Sequence, residues 1–217
     1  QSESLAQQRL IRVLTHEIMN SLAPVTSISH TLLSSSGDAE TMRQGLETIH
    51  ATSDRLLRFV DSFRAVTRIP APQKAPFYLS ELVAESLSLI PHEGIEVEVS
   101  IEPEDTMLYA DRALMSQVMV NLLKNATEAL MSQDCTRKIT IRSTIDAEER
   151  IQIEITNNGS AIPAEVAENI FTPFFTTKTD GSGIGLAVSR QIIRLHGGSL
   201  RLKHNEEGKV TFAVVVE

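Results

Sequence analysis

The 217-residue sequence contains one cysteine, Cys135, and no tryptophan. A single cysteine excludes an internal disulfide and a cysteine-rich metal site, and it is typical of a reducing compartment. Aromatic residues make up only 4% of the chain, which argues against a platform on which nucleic-acid bases stack. The formal net charge of −8 also argues against a nucleic-acid footprint, which would be basic and clustered. We therefore expect no nucleic-acid partner.

Long apolar runs are also missing. No stretch approaches the ~18 residues that a membrane span needs, and no basic-then-apolar signal sequence opens the chain. We expect these residues to make no membrane contact and to be cytoplasmic. The 41% of apolar residues is enough to form buried cores.

Helix breakers are rare in residues 1–68, where only Pro24 and the SSSGD turn at 34–38 interrupt helical spacing. We expect Asp38 to cap the second helix. In that helix a seam of mostly apolar residues repeats in steps of four and three, as in left-handed helix packing: Met42, Leu46, Ile49, Ser53, Leu56, Val60 and Phe63. One hairpin cannot bury this seam, so we predict a homodimer whose two hairpins form a four-helix bundle.

Residues 69–76 are rich in proline and predict a stiff linker between two domains. Beyond them, alternating segments typical of strands mix with helical ones. The long helix of this part contains NLLKNATEAL (121–130) and is predicted to be capped by Asp111, and an earlier helix by Ser80. The fold class is therefore multidomain, with an α hairpin in residues 1–68 and an α/β sandwich, of α+β type, in residues 77–217.

Four motifs in the second part occur in a fixed order: NLLKNATEAL (121–130), ITNNGSAIP (155–163), FTPFFTTK (171–178) and GSGIGLAVSRQIIRLHGG (181–198). They resemble the N, G1, F and G2 boxes of sensor histidine kinases, whose ATP-binding fold is shared with gyrase-type ATPases. THEIMN (15–20) then resembles the phosphoacceptor motif of the same kinases, and the motifs look closest to the nitrogen-regulation type. Each motif alone is weak, but five in order cover nearly the whole chain.

The first box places two asparagines on one face of a helix. Asn121 and Asn125 are one turn apart, and an amide oxygen is a hard ligand suited to Mg²⁺. The resemblance implies that Asn125 is the Mg²⁺ ligand. Asn121 stands where gyrase-type ATPases have a glutamate that activates water. Since an amide cannot abstract a proton, we expect the site to transfer phosphate from ATP and not to hydrolyse it.

The glycine-rich box opens a helix whose free N–H groups can bind phosphate oxygens. Gly183 and Gly185 lack a Cβ, which lets the backbone approach a nucleotide closely. Lys178 lies in the segment that is a mobile lid in the family, although a solvated surface lysine is an equal alternative. The resemblance implies the following nucleotide contacts: Asn121, Asn125, Asn157, Gly159, Ile162, Lys178, Ser182, Gly183, Ile184, Gly185, Leu186 and Thr211.

Asn157 is the sharpest departure from the family, whose aspartate at this position accepts a hydrogen bond from the adenine amino group. An asparagine keeps an oxygen acceptor, loses the charge and gains two donors. We expect its oxygen to hold ATP, more weakly than an aspartate. Rotated, the same side chain could donate to a guanine carbonyl, so discrimination against GTP should be poor. Ala161, in place of a second glycine, also departs from the family pattern.

The chain has six histidines, and His16 is the candidate phosphoacceptor. It is followed by a carboxylate, Glu17, whereas His30 is not, and His196 stands at a helix end where histidines commonly satisfy carbonyl groups. A histidine that is neutral near pH 7 must lose its second ring proton as the other nitrogen attacks phosphorus. The resemblance makes Glu17 the base. Without the nucleotide motifs, the pair would be interpreted as ordinary exposed residues.

Asn20 lies one turn after His16 on the same helix face. Kinases resembling this chain use such a residue to orient water against a phosphorylated response regulator, which implies a phosphatase activity. The family's common proline five residues after the histidine is replaced by Ser21. Pro24 comes later, and we expect it to bend the helix beyond the nucleophile.

These observations predict a dimeric kinase core that uses ATP and Mg²⁺ to phosphorylate His16 and passes the phosphate to a response-regulator aspartate. Two alternatives stay open. The departure at Asn157 also suits a degenerate nucleotide-binding scaffold without phosphotransfer. A gyrase-type ATPase is the other, which Asn121 disfavours.

Overall fold

The computed structural model describes residues 2–34, 39–131, 136–178 and 181–216, with side chains from Leu14 onward. The chain divides into two compact units, Gln1–Arg68 and Ile69–Glu217, and each is described by itself. The predicted cap Asp38, most of the SSSGD turn and Cys135 lie outside the described residues.

The first unit consists of two helices, α1 (Ser2–Ser34) and α2 (Ala39–Thr67). They contact each other closely, since a Cβ on Gly45 would lie only 2.8 Å from Leu32 Cδ1. Helix α1 continues through Pro24, and the predicted bend there stays a prediction. No side chain of α2 is buried, and the seam residues Met42 and Leu46 are 40% and 55% exposed. The other five seam residues are half-buried, so the seam is only partly covered within one chain.

The second unit is built on a five-stranded sheet. Its strands are β2 (Ile95–Ile101), β4 (Arg137–Ile145), β5 (Ile151–Asn157), β6 (Ser199–Glu206) and β7 (Lys209–Val216), in the order β2-β4-β5-β7-β6. Only the β2–β4 pair is parallel. Strands β1 (Ala75–Tyr78) and β3 (Met107–Ala110) form a separate antiparallel pair. The predicted strand pair of β4 with β5 and the closing hairpin of β6 with β7 are confirmed.

The helices of this unit are α3 (Leu79–Ser88), α4 (Arg112–Leu130), α5 (Ala164–Ala167) and α6 (Gly185–Leu195). Helices α4 and α6 contact each other and pack on the sheet. Alternate residues of β5, including Ile153 and Ile155, are buried beneath them, because successive side chains of a strand point to opposite faces. The predicted helix-on-sheet layering is thus observed, and α4 and α6 carry two of the four motifs, NLLKNATEAL and GSGIGLAVSRQIIRLHGG.

The Ser80 prediction is wrong. Helix α3 already begins at Leu79, and the residue before it, Tyr78, makes no side-chain cap. Leu79 is fully buried and its N–H donates to the Thr106 carbonyl at 3.0 Å. Burial of this leucine therefore sets the helix start one residue before the serine could cap it.

The Asp111 cap is confirmed, and it joins three segments. Its Oδ1 accepts from the Leu114 N–H at 3.1 Å, and its Oδ2 accepts from the Gln73 N–H at 2.8 Å. These two donors hold the pKa of Asp111 below its ordinary value. The Asp111 N–H in turn donates to Nε2 of the buried His196, whose Nδ1 lies 2.8 Å from the Ile192 carbonyl. The start of α4 and the end of α6 are therefore fixed to each other.

Candidate nucleotide site and phosphoacceptor

A cavity of about 700 Å³ lies along α4, between the loop after β5, residues 170–178, the start of α6 and strand β7. Several predicted contacts line it: Asn121, Asn125, Asn157, Ile162, Lys178, Ser182, Gly183, Gly185 and Leu186. Three others, Gly159, Ile184 and Thr211, are not among the lining residues. Thr211 is buried, and its hydroxyl lies 2.8 Å from that of Thr156.

Asn121 joins α4 to α6. Its Nδ2 donates to the Ser189 hydroxyl at 3.0 Å, and a Cβ on Gly185 would lie only 2.1 Å from its Oδ1. The first residue of α6 is therefore glycine because the Asn121 side chain occupies that space. The sequence interpretation attributed this glycine to the nucleotide, whereas the structure gives a reason within the protein.

Gly183 is required by the backbone. Its φ is +65°, a region that side chains other than glycine rarely adopt, and a Cβ there would lie 2.6 Å from the Phe174 carbonyl carbon. Its carbonyl accepts from the Phe174 N–H at 2.8 Å. This glycine, which lines the cavity, thus connects the third motif to the fourth.

Asn125 lies one turn after Asn121 and lines the same cavity. Within the described part of the chain, its side chain has no hydrogen-bond partner, so its amide oxygen is available to a ligand. A hard oxygen donor of this kind fits Mg²⁺, which uses one or two protein ligands and takes the rest from phosphates and water. No group of three or more histidine, cysteine, aspartate or glutamate side chains that could hold a metal occurs among the described residues.

Lys178 pairs with Glu128 across the cavity lining. Glu128 also lies 3.8 Å from Lys124, one turn earlier on α4. Both alternatives for Lys178, a solvated lysine and a phosphate ligand, missed this partner. No local spacing predicts this pair, because Glu128 and Lys178 lie 50 positions apart and the i+4 spacing relates Glu128 to Lys124 instead.

Asn157 is 4% exposed at the end of β5. Its Oδ1 accepts from the Gly159 N–H at 3.0 Å. A Cβ on Gly159 would lie 2.8 Å from that oxygen and 3.2 Å from the Ala129 carbonyl, so the turn is tightly packed against α4. The oxygen that we expected to serve a nucleotide is therefore already in a hydrogen bond with the chain.

Two residues of the cavity's apolar wall, Val210 and Phe212, were missed from the sequence, whereas Ile162 and Leu186 were predicted. Val210 and Phe212 of β7 lie beside Ile162 and Leu186 in the lining. The Phe212 ring meets that of Phe171 edge-on, with centroids 6.4 Å apart. A flat, apolar ring system fits such a wall, but alternation along β7 gave no sign that its residues faced a ligand.

The phosphoacceptor candidates lie on α1. His16 is 71% exposed, and its Nδ1 lies 3.7 Å from a Glu17 carboxylate oxygen. The same Nδ1 lies 3.1 Å from the Asn20 side-chain nitrogen. Among the described residues, no partner contacts Nε2. The exposed His16 ring therefore has two polar neighbours at Nδ1 and none at Nε2 in the described part of the chain.

Comparison with known proteins decides the family. Residues 110–217 match the family model described as histidine kinase-, DNA gyrase B- and HSP90-like ATPase. The catalytic domain of histidine kinase ThkA is 36% identical, with a TM-score of 0.59, covering 66% of this chain and 95% of that one. The chain belongs to the histidine kinase family. The resemblance stated from the motifs is thereby confirmed.

One further relative and a second ThkA structure extend the likeness of this histidine kinase toward its N-terminal residues. Sensor protein FixL of Bradyrhizobium diazoefficiens is 31% identical over 216 residues, covering 95% of this chain and 43% of FixL. The complex of ThkA with the response regulator protein TrrA matches over 99% of this chain and 62% of that one, at 29% identity and a TM-score of 0.67. The chain thus spans less than half of FixL. Among the described residues, no helix is long and apolar enough to cross a membrane.

Proposed function

We propose that this chain is the core of a dimeric sensor histidine kinase in which bound ATP phosphorylates His16. The observation that carries the proposal is the cavity along α4, which collects residues from all four nucleotide motifs. In this proposal residues 1–68 provide dimerisation and the phosphoacceptor, residues 69–76 are the linker, and residues 77–217 bind ATP. The nitrogen-regulation type is part of the same proposal.

The cavity suits a nucleoside triphosphate because one part of its lining is apolar and another part is polar. The apolar wall of Ile162, Leu186, Val210 and Phe212 can receive the base. Asn125, Lys178 and the N–H groups at the start of α6 can receive phosphate oxygens. When bound, Mg²⁺ would neutralise phosphate charge, held by the Asn125 oxygen.

The reaction proposed for His16 is attack by Nε2 on the γ-phosphorus of ATP. The new N–P bond replaces the bond to the β-phosphate oxygen, which leaves with its electron pair as part of ADP. For this step we propose that the ring carries its proton on Nδ1 and passes it to the Glu17 carboxylate, 3.7 Å away. The Asn20 amide, whose nitrogen lies 3.1 Å from Nδ1, must then turn its oxygen toward the ring. The exposure of His16 lets a nucleotide domain reach it.

A second copy of the chain is proposed to cover the seam of α2. The seam residues Met42 and Leu46 are exposed by 40% or more, and no residue of that helix is buried. Pairing of two such surfaces in a four-helix bundle would remove them from water. Sedimentation of the chain should give a dimer, and Leu46→Glu should shift it to a monomer.

A response regulator is proposed to receive the phosphate on an aspartate. The support is the likeness to ThkA, which has been solved in complex with the response regulator protein TrrA. Asn20, beside His16, is proposed to hold the water that later removes that phosphate.

Incubation with γ-labelled ATP tests the phosphotransfer. We expect acid-labile label on the wild-type chain and on a His30→Ala control, and none on His16→Ala, which should still bind ATP. Label that persists on His16→Ala would place the acceptor elsewhere. ATP binding with no label on the wild type would favour the degenerate scaffold, and rapid release of free phosphate would favour the gyrase-type ATPase.

A further inference from the structure

The base-binding end of the cavity is marked by Asn157. Gly159, next to it, packs against Ala129 and Leu130, while Gly185 packs against Asn121. Eight residues of α4 separate Asn121 from Ala129, which is about 12 Å of helix. Asn157 therefore lies at the opposite end of the cavity from the first turn of α6, where phosphates are expected.

The orientation of the Asn157 amide follows from its neighbour. The Gly159 N–H is a donor, so it must face the oxygen of the amide, at 3.0 Å. The opposite orientation would set two donors against each other. The Nδ2 group is thereby turned away from Gly159, and its two hydrogens have no acceptor among the described residues.

This Nδ2 group is open to the cavity. The only fully buried side-chain nitrogen or oxygen without a partner in the described part of the chain is Ser143 Oγ. Asn157 Nδ2 likewise has no partner among the described residues, but it is not one of the fully buried atoms. It is therefore accessible. Because the residue is otherwise buried and lines the cavity, the opening is that of the cavity. At this point of the cavity the protein therefore presents a hydrogen-bond donor, the Asn157 side-chain nitrogen.

A free donor matches a base edge that carries an acceptor. Guanine presents an oxygen at position 6, where adenine presents an amino group that is itself a donor. A side-chain amide can also bind two adjacent atoms, and the second lone pair of Oδ1 can accept from the N1–H of a 6-oxopurine. A carboxylate at this position has acceptors only and would repel the 6-oxygen.

Building on the proposed nucleotide site, we propose that Asn157 makes this kinase accept 6-oxopurine nucleoside triphosphates, ITP and GTP, as phosphoryl donors alongside ATP. Adenine keeps a usable contact, because its N1 accepts from Nδ2 and its amino group can donate to the free lone pair. The choice of base then depends on Asn157, which offers both a donor and an acceptor where an aspartate would offer acceptors only.

Calorimetric titration of the 217-residue chain with ATP, ITP and GTP in Mg²⁺ tests the proposal. We expect the Kd for ITP to be within about fivefold of that for ATP, and labelled GTP to phosphorylate the protein. Asn157→Asp should raise the ITP-to-ATP ratio of Kd at least about tenfold, by weakening ITP. Asn169→Asp, which adds the same charge at an exposed asparagine outside the lining, should leave the ratio unchanged.

The outcomes separate the two proposals. A wild-type protein that binds ATP more than about tenfold tighter than ITP would overturn the role of Asn157 and leave ATP-dependent phosphotransfer intact. An unchanged ratio in Asn157→Asp would do the same. If no nucleotide binds to the folded wild type, the proposed function itself fails. ITP is the main probe because it lacks the 2-amino group of guanine, so a clash at that group cannot hide the effect.

Discussion

The side-chain nitrogen of Asn20 lies 3.1 Å from Nδ1 of His16, one helical turn away, and the Glu17 carboxylate lies 3.7 Å from the same atom. The two neighbours differ in what they can do there. Glu17 can only accept a proton, so it favours the ring form that carries hydrogen on Nδ1 and leaves Nε2 free to attack. An amide can donate to a bare Nδ1 or accept from a protonated one.

This difference between Glu17 and Asn20 predicts that Glu17 serves autophosphorylation and that Asn20 serves the proposed phosphatase activity. Asn20→Ala should keep at least about half of the autophosphorylation rate, since Glu17 still holds the reactive ring form. It should lose most of the proposed regulator phosphatase activity, because an amide that orients water is gone. The measurement is label on the kinase against loss of label from a phosphorylated regulator. Equal loss of both would show that Asn20 serves helix geometry instead.

Asn125 is predicted to act through Mg²⁺. Asn125→Ala should lower Mg²⁺-dependent ATP binding at least about tenfold, because an oxygen ligand without any other partner is removed. Titration with ATP in Mg²⁺ and in EDTA checks this, and the loss should occur only with Mg²⁺. Asn169→Ala, outside the cavity lining, is the control. An equal loss in EDTA would assign Asn125 to packing or to direct nucleotide contact.

The Lys178–Glu128 pair predicts a gain of affinity. Glu128 pairs with a lysine that would otherwise be available to phosphates. Exposed ion pairs contribute about 1 kcal/mol or less, so Glu128→Gln should tighten ATP binding by up to about fivefold. Lys178→Met should weaken it, and Glu128→Gln should then have less effect in that background. Glu154→Gln, which breaks an ion pair with Lys203 outside the cavity lining, should not change the affinity.

The Asp111 cap predicts a pH-dependent stability. Asp111→Ala should lower the free energy of unfolding by about 1–2 kcal/mol at pH 7, whereas Asp111→Asn, which can still cap, should cost less. The folded pKa is held down by the Gln73 and Leu114 N–H groups. The charge contribution is therefore present above the ordinary carboxyl pKa near ~3.9 and is lost as the pH falls through the folded value.

Urea unfolding between pH 7 and pH 3 measures this. The difference in the free energy of unfolding between wild type and Asp111→Asn should decrease as the pH is lowered. A gap that stays constant over this range would mean that the carboxylate charge adds nothing to the cap.

The sequence by itself determined the motifs, their order and most elements that carry them. Strand alternation predicted β4 and β5, and an aspartate before an apolar helix predicted the cap of α4, because both signals depend on neighbours along the chain. The amide pair on α4 was predicted for the same reason, since Asn121 and Asn125 share a face at a fixed spacing. The Ser80 cap failed because burial of Leu79 outweighed a local preference.

Only the tertiary structure decided what these residues face. The contact of Asn121 with Gly185, the pairing of Lys178 with Glu128 and the hydrogen bond from Gly159 that orients Asn157 are set by how α4, α6 and the loops pack. Two of these three contacts join residues that are far apart in the chain. Glu128 and Lys178, for example, are separated by 50 positions. Spacing along the chain shows which side chains share a face of one helix or strand. The distance between faces of different elements depends on how the core packs, and that distance decides which atoms remain free for a ligand.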